Sequence, residues 1–326
     1  MRTLEDFIRP TQKELFNLMR RTYEGLTISR KGEFVLVKGE APIMLLAHMD
    51  TVHKERVKQI CKTENGNVLM SPQGIGGDDR CGVYALNTVY SLAPVKPWLL
   101  FLCDEEIGCV GAGKFARRFE KSLLPEKLKE VKCLIEIDRK GSKDAVYYDY
   151  ANDDFEDYIT SKGFKTAFGS CSDISYVAPA MGVAAVNLSS GYYNQHTQHE
   201  YIVSSEIDET SRKVLGIVAD SVKPDFPRYE YKEKFSSHGF FGRSWYEDDW
   251  YDSWGGNYTE KEIEKLVPEG IREQYTELLD LYAMDELESW RAAYGDEVIG
   301  ALYRAEFICD PDADNELNKI LNDSQK

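Results

Sequence analysis

"LLFLCDEEIG", residues 99–108, decides how the rest of the chain reads. Four of its first five residues are apolar, as in a strand buried within a parallel sheet. Three acids follow without a break, Asp104, Glu105 and Glu106, and then Ile107 and Gly108. Carboxylates gathered at the end of a buried strand are costly to desolvate unless something positive stands among them. The stretch therefore predicts a cation at the strand end.

Working outward, the same arrangement recurs. Residues 42–50, "PIMLLAHMD", read as a strand that ends in His48 and Asp50. Residues 131–138, "VKCLIEID", read as a strand that ends in Asp138, and 183–189 as a strand followed by "SGYYNQHTQHEY", with His196 and His199. The glycine-rich "GIGGDDRCG", 74–82, puts Asp78 and Asp79 just before a helix at 80–93. Further helices are expected over 11–25, where Thr11 is a candidate cap, and over 111–123, 171–182 and 204–222. A strand is expected over 33–39 and a hairpin around Asn65-Gly66. Strands alternating with helices predict an α/β sheet with helices on both faces. In such a sheet, ligands bind at the carboxyl ends of the strands. Five separate segments would thus bring His, Asp, Glu, Asp and His to one edge. Imidazole and carboxylate donors without thiolate suit a divalent metal, above all zinc. Two metals about 3.5–4 Å apart, bridged by a carboxylate and a water, would offset that many acids.

At these positions the chain resembles the di-zinc exopeptidases, the clan of peptidase T, the bacterial leucyl aminopeptidases and carboxypeptidase G. "HMDTV" (48–52) resembles their His-x-Asp motif, "GIGGDDRCG" their bridging-aspartate loop and "DEEIGCVGA" (104–112) their Glu-Glu motif. "IEID" (135–138) and "NQHTQHEY" (194–201) stand in for the last two ligand segments, in the clan's chain order. The resemblance spans roughly residues 30–225 and implies a three-layer αβα mixed sheet. It implies that His48, Asp78 and Asp138 hold one ion and that His196, Asp78 and Glu106 hold the other. Glu105 matches the general base, and Asp50 the carboxylate that orients His48, a role metal-bound imidazoles require in any case. It also implies a cis peptide after Asp78; the residues alone do not rank Asp78 above Asp79. "GSCSDISY" (169–176) resembles a segment near the substrate, which makes Ser172 and Asp173 candidate substrate contacts. His199 either touches substrate or is solvated. His53 and His238 belong to no motif.

The implied chemistry is amide hydrolysis by a water shared between two divalent ions, Zn2+ first, with Co2+ and Mn2+ as alternatives. Asp rather than Glu at position 138 tilts the reading toward aminopeptidases, acting on a small peptide or an amino-acid amide. An N-acyl amino-acid deacylase or carboxypeptidase is the alternative within enzymes. A non-catalytic scaffold or binding protein that keeps the fold is the alternative outside them. Only 58 positions separate Asp138 from His196, and only 30 separate His48 from Asp78, so the clan's inserted lid or shell domain has no room.

The chain has 326 residues and a net charge of −16, which argues against nucleic-acid partners. From residue 227 onward there are 24 acids and 11 bases, so most of that charge lies there. This asymmetry divides the chain into a catalytic domain, 1–226, and an acidic accessory region, 227–326. Within the latter, 236–258 is rich in Trp, Tyr and Asp without a period; it is expected to pack Trp245, Trp250 and Trp254, or to cover the cleft or bind a partner. Residues 268–307 have a helical pattern, with Ile271, Tyr275, Leu278, Leu279 and Tyr282 on one stripe. No apolar run is long enough to span a membrane. No signal-peptide core opens the chain, and the seven cysteines include no CxxC, so buried free thiols in the cytoplasm are expected. The oligomeric state is not read from the sequence.

Overall fold

The apolar runs become strands, and their alternation builds two cores. In the computed structural model, which describes residues 2–148, 152–169, 171–232, 266–278, 284–304 and 320, the main sheet has eight strands. In chain order these are β1 (Thr27–Arg30), β2 (Phe34–Val37), β3 (Met44–His48), β6 (Trp98–Leu102), β7 (Leu134–Arg139), β8 (Asp144–Val146), β9 (Lys165–Thr166) and β10 (Ala185–Ser189). Their order across the sheet is β1-β2-β6-β3-β7-β10-β8-β9. The four central strands, β6, β3, β7 and β10, are parallel to one another. β6 is antiparallel to β2 on its other side, so the sheet is mixed.

Successive side chains point to opposite faces. One face carries Leu45, Ala47, Leu99, Phe101, Ile135 and Ile137, in a single buried cluster with Met19, Leu86, Val89 and Val214 of the overlying helices. The other carries Met44, Leu46, Trp98, Leu100, Leu102 and Leu134, packed with Phe115, Ile174 and Val177. Helices α2 (Gln12–Thr22), α3 (Gly77–Leu92) and α7 (Ser204–Ser221) supply the first face; α4 (Val110–Glu120) and α6 (Ile174–Met181) supply the second. The result is the expected αβα arrangement. Thr11 caps α2 in a full capping box with Glu14.

A smaller sheet ordered β11-β12-β5-β4 joins the expected hairpin, β4 (Cys61–Lys62) and β5 (Val68–Met70), to β11 (Tyr192–Tyr193) and β12 (Tyr201–Val203). Its loop between β11 and β12 carries His196. α1 (Glu5–Ile8), α5 (Asp153–Ser161), β1, β8 and β9 are short, and no sequence periodicity marked them. Four of the described cysteines are buried, as expected; Cys61 and Cys171 are exposed, and all six are free. The exposure of Cys61 follows from its place on the outermost strand of the small sheet.

Contacts divide the chain into Met1–Phe235 and Ser236–Lys326. Within the first unit, Tyr229 is buried and its N–H donates to the Lys132 carbonyl at 2.9 Å. In the second, short helices at Arg272–Leu278, Met284–Tyr294 and Glu297–Tyr303 surround buried Tyr275, Leu278, Leu287 and Ile299. Ile271 packs beside them. Leu279, Tyr282, His238 and the stretch 236–258 lie outside the described residues. Among the described residues, no helix is long and apolar enough to cross a membrane.

Candidate metal centre

Sheet register brings the first residues together. β3 and β7 are neighbours with Leu46 opposite Glu136, so the two strands carry His48 and Asp138 out at the same end. β6 is in register with β3 on the other side, with Leu102 opposite His48. The chain leaves β6 through Asp104, whose φ of 59° makes a left-handed turn. Gln12 fixes that turn: its amide donates to Asp104 Oδ1 at 2.7 Å and its carbonyl accepts the Asp104 N–H at 3.0 Å. Glu105 and Glu106 therefore face back over the sheet edge. Asp78 stands in a non-helical first turn of α3, and the Asp78–Asp79 peptide is cis, as the resemblance implies. His196, at φ 63°, closes the set from its loop.

The donor atoms meet in two groups that share one residue. His48 Nε2 lies 3.1 Å from Asp78 Oδ1 and 3.5 Å from Asp138 Oδ1. His196 Nε2 lies 3.3 Å from Asp78 Oδ2 and 3.0 Å from Glu106 Oε2. The two oxygens of Asp78 thus face two different imidazoles. Ligands about 2.0–2.1 Å from a tetrahedral zinc ion stand about 3.3–3.4 Å from each other. The observed spacings fall around that edge length. His48, Asp78 and Glu106 also offer donor atoms that all lie within 4.8 Å of one another. A single imidazole proton cannot serve two carboxylates, so hydrogen bonding alone leaves this group over-supplied with acceptors. The donor set fits a pair of divalent cations.

The acid–base balance of the protein groups carries the same message. Burial, then the Asp78 charge, pushes Asp138 well above the carboxylate range. Burial and Asp78 push Glu106 up to about 7. Burial raises Glu105 as well, with Asp78 adding and the His48 charge opposing. Burial favours neutral His48, but the surrounding carboxylates, Asp138 foremost, overcome it and raise its pKa well above the ordinary value. A hydrogen bond to Asp78 brings His196 up to about 9. Too many negative groups compete for two imidazoles.

Other side chains hold the donors in place. Asp50 faces His48 Nδ1 at 3.3 Å and accepts the N–H groups of Glu105 and Glu106, each at 3.1 Å. One carboxylate thereby ties the imidazole to the acidic turn. Glu200, fully buried, accepts the N–H of Gly76 and of Asp78 at 2.9 Å and faces His53 Nε2 at 2.8 Å. It locks the Asp78 loop to the segment that carries His196. Asn187 accepts the Asp138 N–H at 2.9 Å and donates to the Asp138 carbonyl at 3.0 Å, bracketing that residue from β10. Gly82 lets α3 approach β7: a Cβ there would stand 2.0 Å from the Ile137 carbonyl oxygen. Glu200, Asn187 and His53 were not marked as site residues by their sequence. Glu200 lies four positions after His196, and only the fold shows what it holds.

The remaining expected residues lie apart from the donors. Ser172 is 1% exposed, and its hydroxyl donates to Glu136 and accepts from Asn187. Asp173 is fully buried, with neither oxygen partnered among the described residues. Neither side chain presents a surface. His199 is exposed, and its hydrogen bonds run through its backbone to Asn194 and Thr197. Glu105 Oε1 is 3.6 Å from the buried Cys109 thiol.

No family model and no curated protein matches this sequence. Solved structures do match. A tripeptidase from Staphylococcus aureus superposes with a TM-score of 0.50 at 13% identity, over 67% of this chain and 96% of that one. A TET aminopeptidase from a marine-sediment Thaumarchaeota archaeon gives 0.51 at 12% identity, over 66% and 95%. The chain has the fold of these peptidases. At such identity the likeness concerns architecture, and the roles of single residues rest on the geometry above.

Proposed function

We propose that this chain is a divalent-metal-dependent exopeptidase, an aminopeptidase or small-peptide hydrolase. The carrying observation is Asp78, whose two oxygens face His48 and His196 at 3.1 and 3.3 Å while Asp138 and Glu106 complete the two groups. His48, Asp78 and Asp138 would hold one ion, and His196, Asp78 and Glu106 the other, most simply Zn2+. When bound, such a pair supplies Lewis acidity and a water acidified toward neutrality. Glu105 faces none of the five donors as a ligand, and its raised pKa suits a general base. It accepts the proton of the attacking water and returns it to the departing amine. Asp50 keeps the His48 ring aimed through Nδ1 and holds the Glu105 backbone in the same grip. The six free thiols among the described residues support a reducing compartment such as the cytoplasm.

A panel of aminoacyl-anilides, N-acylated amino acids and short peptides, with and without chelator, tests this reading. Chelator-sensitive hydrolysis confined to free-amine substrates is the expected result. Hydrolysis of N-acylated substrates only would make the chain a deacylase or carboxypeptidase. Absence of turnover with both ions bound would make it a binding protein.

A further inference from the structure

Beside the candidate metal centre lies a cavity of about 540 Å³ with three walls. Ile8, Pro10 and Gln12 form one, the loop from Asp50 to Val57 forms another, and Asp104, Glu106 and Ile107 form the third. Its volume is that of a small-ligand site. The cavity reaches Glu106, one of the donor residues, so whatever fills it sits next to the reacting centre.

Charge within the cavity is segregated. The acids of the inner wall are already engaged: Asp50 by His48 and two backbone N–H groups, Asp104 by Gln12. The bases are not. Arg80 lines the cavity, is 3% exposed and makes no ion pair among the described residues. Both its hydrogen bonds run from Nη1 to carbonyls, Phe7 at 2.9 Å and Pro10 at 2.7 Å, and its Nε has no acceptor there. The charges of Asp50, Asp79 and Glu14 act on it through space, but its hydrogen bonds go to carbonyl oxygens alone. A buried guanidinium that no carboxylate pairs directly is unfavourable, and its planar fork matches a carboxylate. Lys54 and Arg56 stand exposed at the rim, the latter 3.1 Å from Glu14. Val52 and Ile107, 39% and 68% exposed, supply apolar walls.

We infer that this cavity receives the free α-carboxylate of a short peptide substrate, with Arg80 as its anchor and Lys54 at the rim. The inference rests on the exopeptidase reading and narrows it to peptides whose far end lies within reach of the metals. The peptide's carboxylate supplies the direct ion pair that Asp50, Asp79 and Glu14 do not form with Arg80 among the described residues.

The test uses the full chain loaded with Zn2+ and three peptides: Leu-Gly-Gly, its C-terminal amide, and Leu-Glu-amide, whose sole carboxylate is on a side chain. The amide should show a KM at least tenfold above that of the acid, with kcat within about twofold. The exposed Lys54→Glu variant should raise KM for the acid several-fold more than KM for the amide; an equal change in both would overturn the role of Lys54. Equal KM for acid and amide would overturn the inference, and Leu-Glu-amide matching the acid would overturn its assignment to the chain terminus. Calorimetric binding of the same peptides to the metal-free chain separates this claim from the hydrolytic one. Preference for the acid there supports the carboxylate site even without turnover. Equal binding there removes it even if hydrolysis is seen.

Discussion

His48 and Asp138 stand on neighbouring parallel strands and are 0% and 9% exposed, whereas Glu106 and His196 stand on loops, and the His196 side chain is 52% exposed. The two halves share Asp78 as a donor and Asp50 as a brace. The strand-borne half is positioned by sheet register and by Asn187 from the next strand. The loop-borne half depends on two left-handed turns, at Asp104 and His196, and on the tethers from Gln12 and Glu200. Ligands fixed before binding lose less freedom when an ion arrives. The strand-borne position should therefore hold its ion more tightly than the loop-borne one.

Glu105 belongs to neither half, and removing its charge gives the largest expected effect. Glu105→Gln should keep both ions and lose roughly 10²- to 10⁴-fold in kcat, the usual contribution of a general base. Loss of an ion in that variant would make Glu105 a ligand and redraw the two halves. The asymmetry itself is read by metal analysis during a chelator titration. The ion at His196 should leave first; His196→Ala should retain one ion per chain, and His48→Ala should retain its remaining ion more weakly. Simultaneous release of both ions would abolish the distinction.

The tethers give smaller effects. Glu200→Gln places an amide donor against the Gly76 and Asp78 N–H groups and should weaken both ions by about 10- to 100-fold. Asn187→Ala should weaken only the ion shared by His48 and Asp138. Metal calorimetry beside the melting of the metal-free chain distinguishes mispositioning from general loss of stability.

The smallest effect is in the pH dependence of the metal-free chain. Glu106 and Glu136 are raised to about 7 and about 8 from an ordinary 4.5, in both chiefly by burial. His196 is raised to about 9 from 6.5, chiefly by its hydrogen bond to Asp78. In each, the folded state binds a proton more tightly than the unfolded state. The stability so gained is complete below the unfolded pKa and is lost as pH rises through the folded one. Melting temperature without metal should fall between about pH 5 and pH 9. With metal it should rise over the lower part of that range, because the ions need the same groups deprotonated. A metal-free protein that grows more stable with pH would mean that the donors are less enclosed than the structure shows.

Most of the central sheet was legible because its strands are mainly apolar runs, with polar residues few and gathered toward their carboxyl ends. A segment such as 98–102, buried on both faces, has one reading once its flanking turns are seen. The edge strands β1 and β9 were not legible, since their residues are partly or fully in solvent and carry no period, and β8, with three residues, is too short to show one. The free but exposed thiols of Cys61 and Cys171 escaped for a similar reason: exposure depends on which strand or loop ends outermost.

The sequence by itself determined the chemistry available. It placed carboxylates and imidazoles at the ends of apolar runs, an arrangement that predicts cations wherever those runs pack in parallel. It could not decide which oxygen of Asp78 faces which histidine, that Glu200 grips the loop beneath it, or that Arg80 is enclosed with its hydrogen bonds going to carbonyls. Those are contacts between segments 30 to more than 120 positions apart, as from His48 to Asp78 or from Gly76 to Glu200. Periodicity reports only on neighbours within a turn or a strand, whereas distances of about 3 Å across such separations exist only after the sheet and its helices have closed.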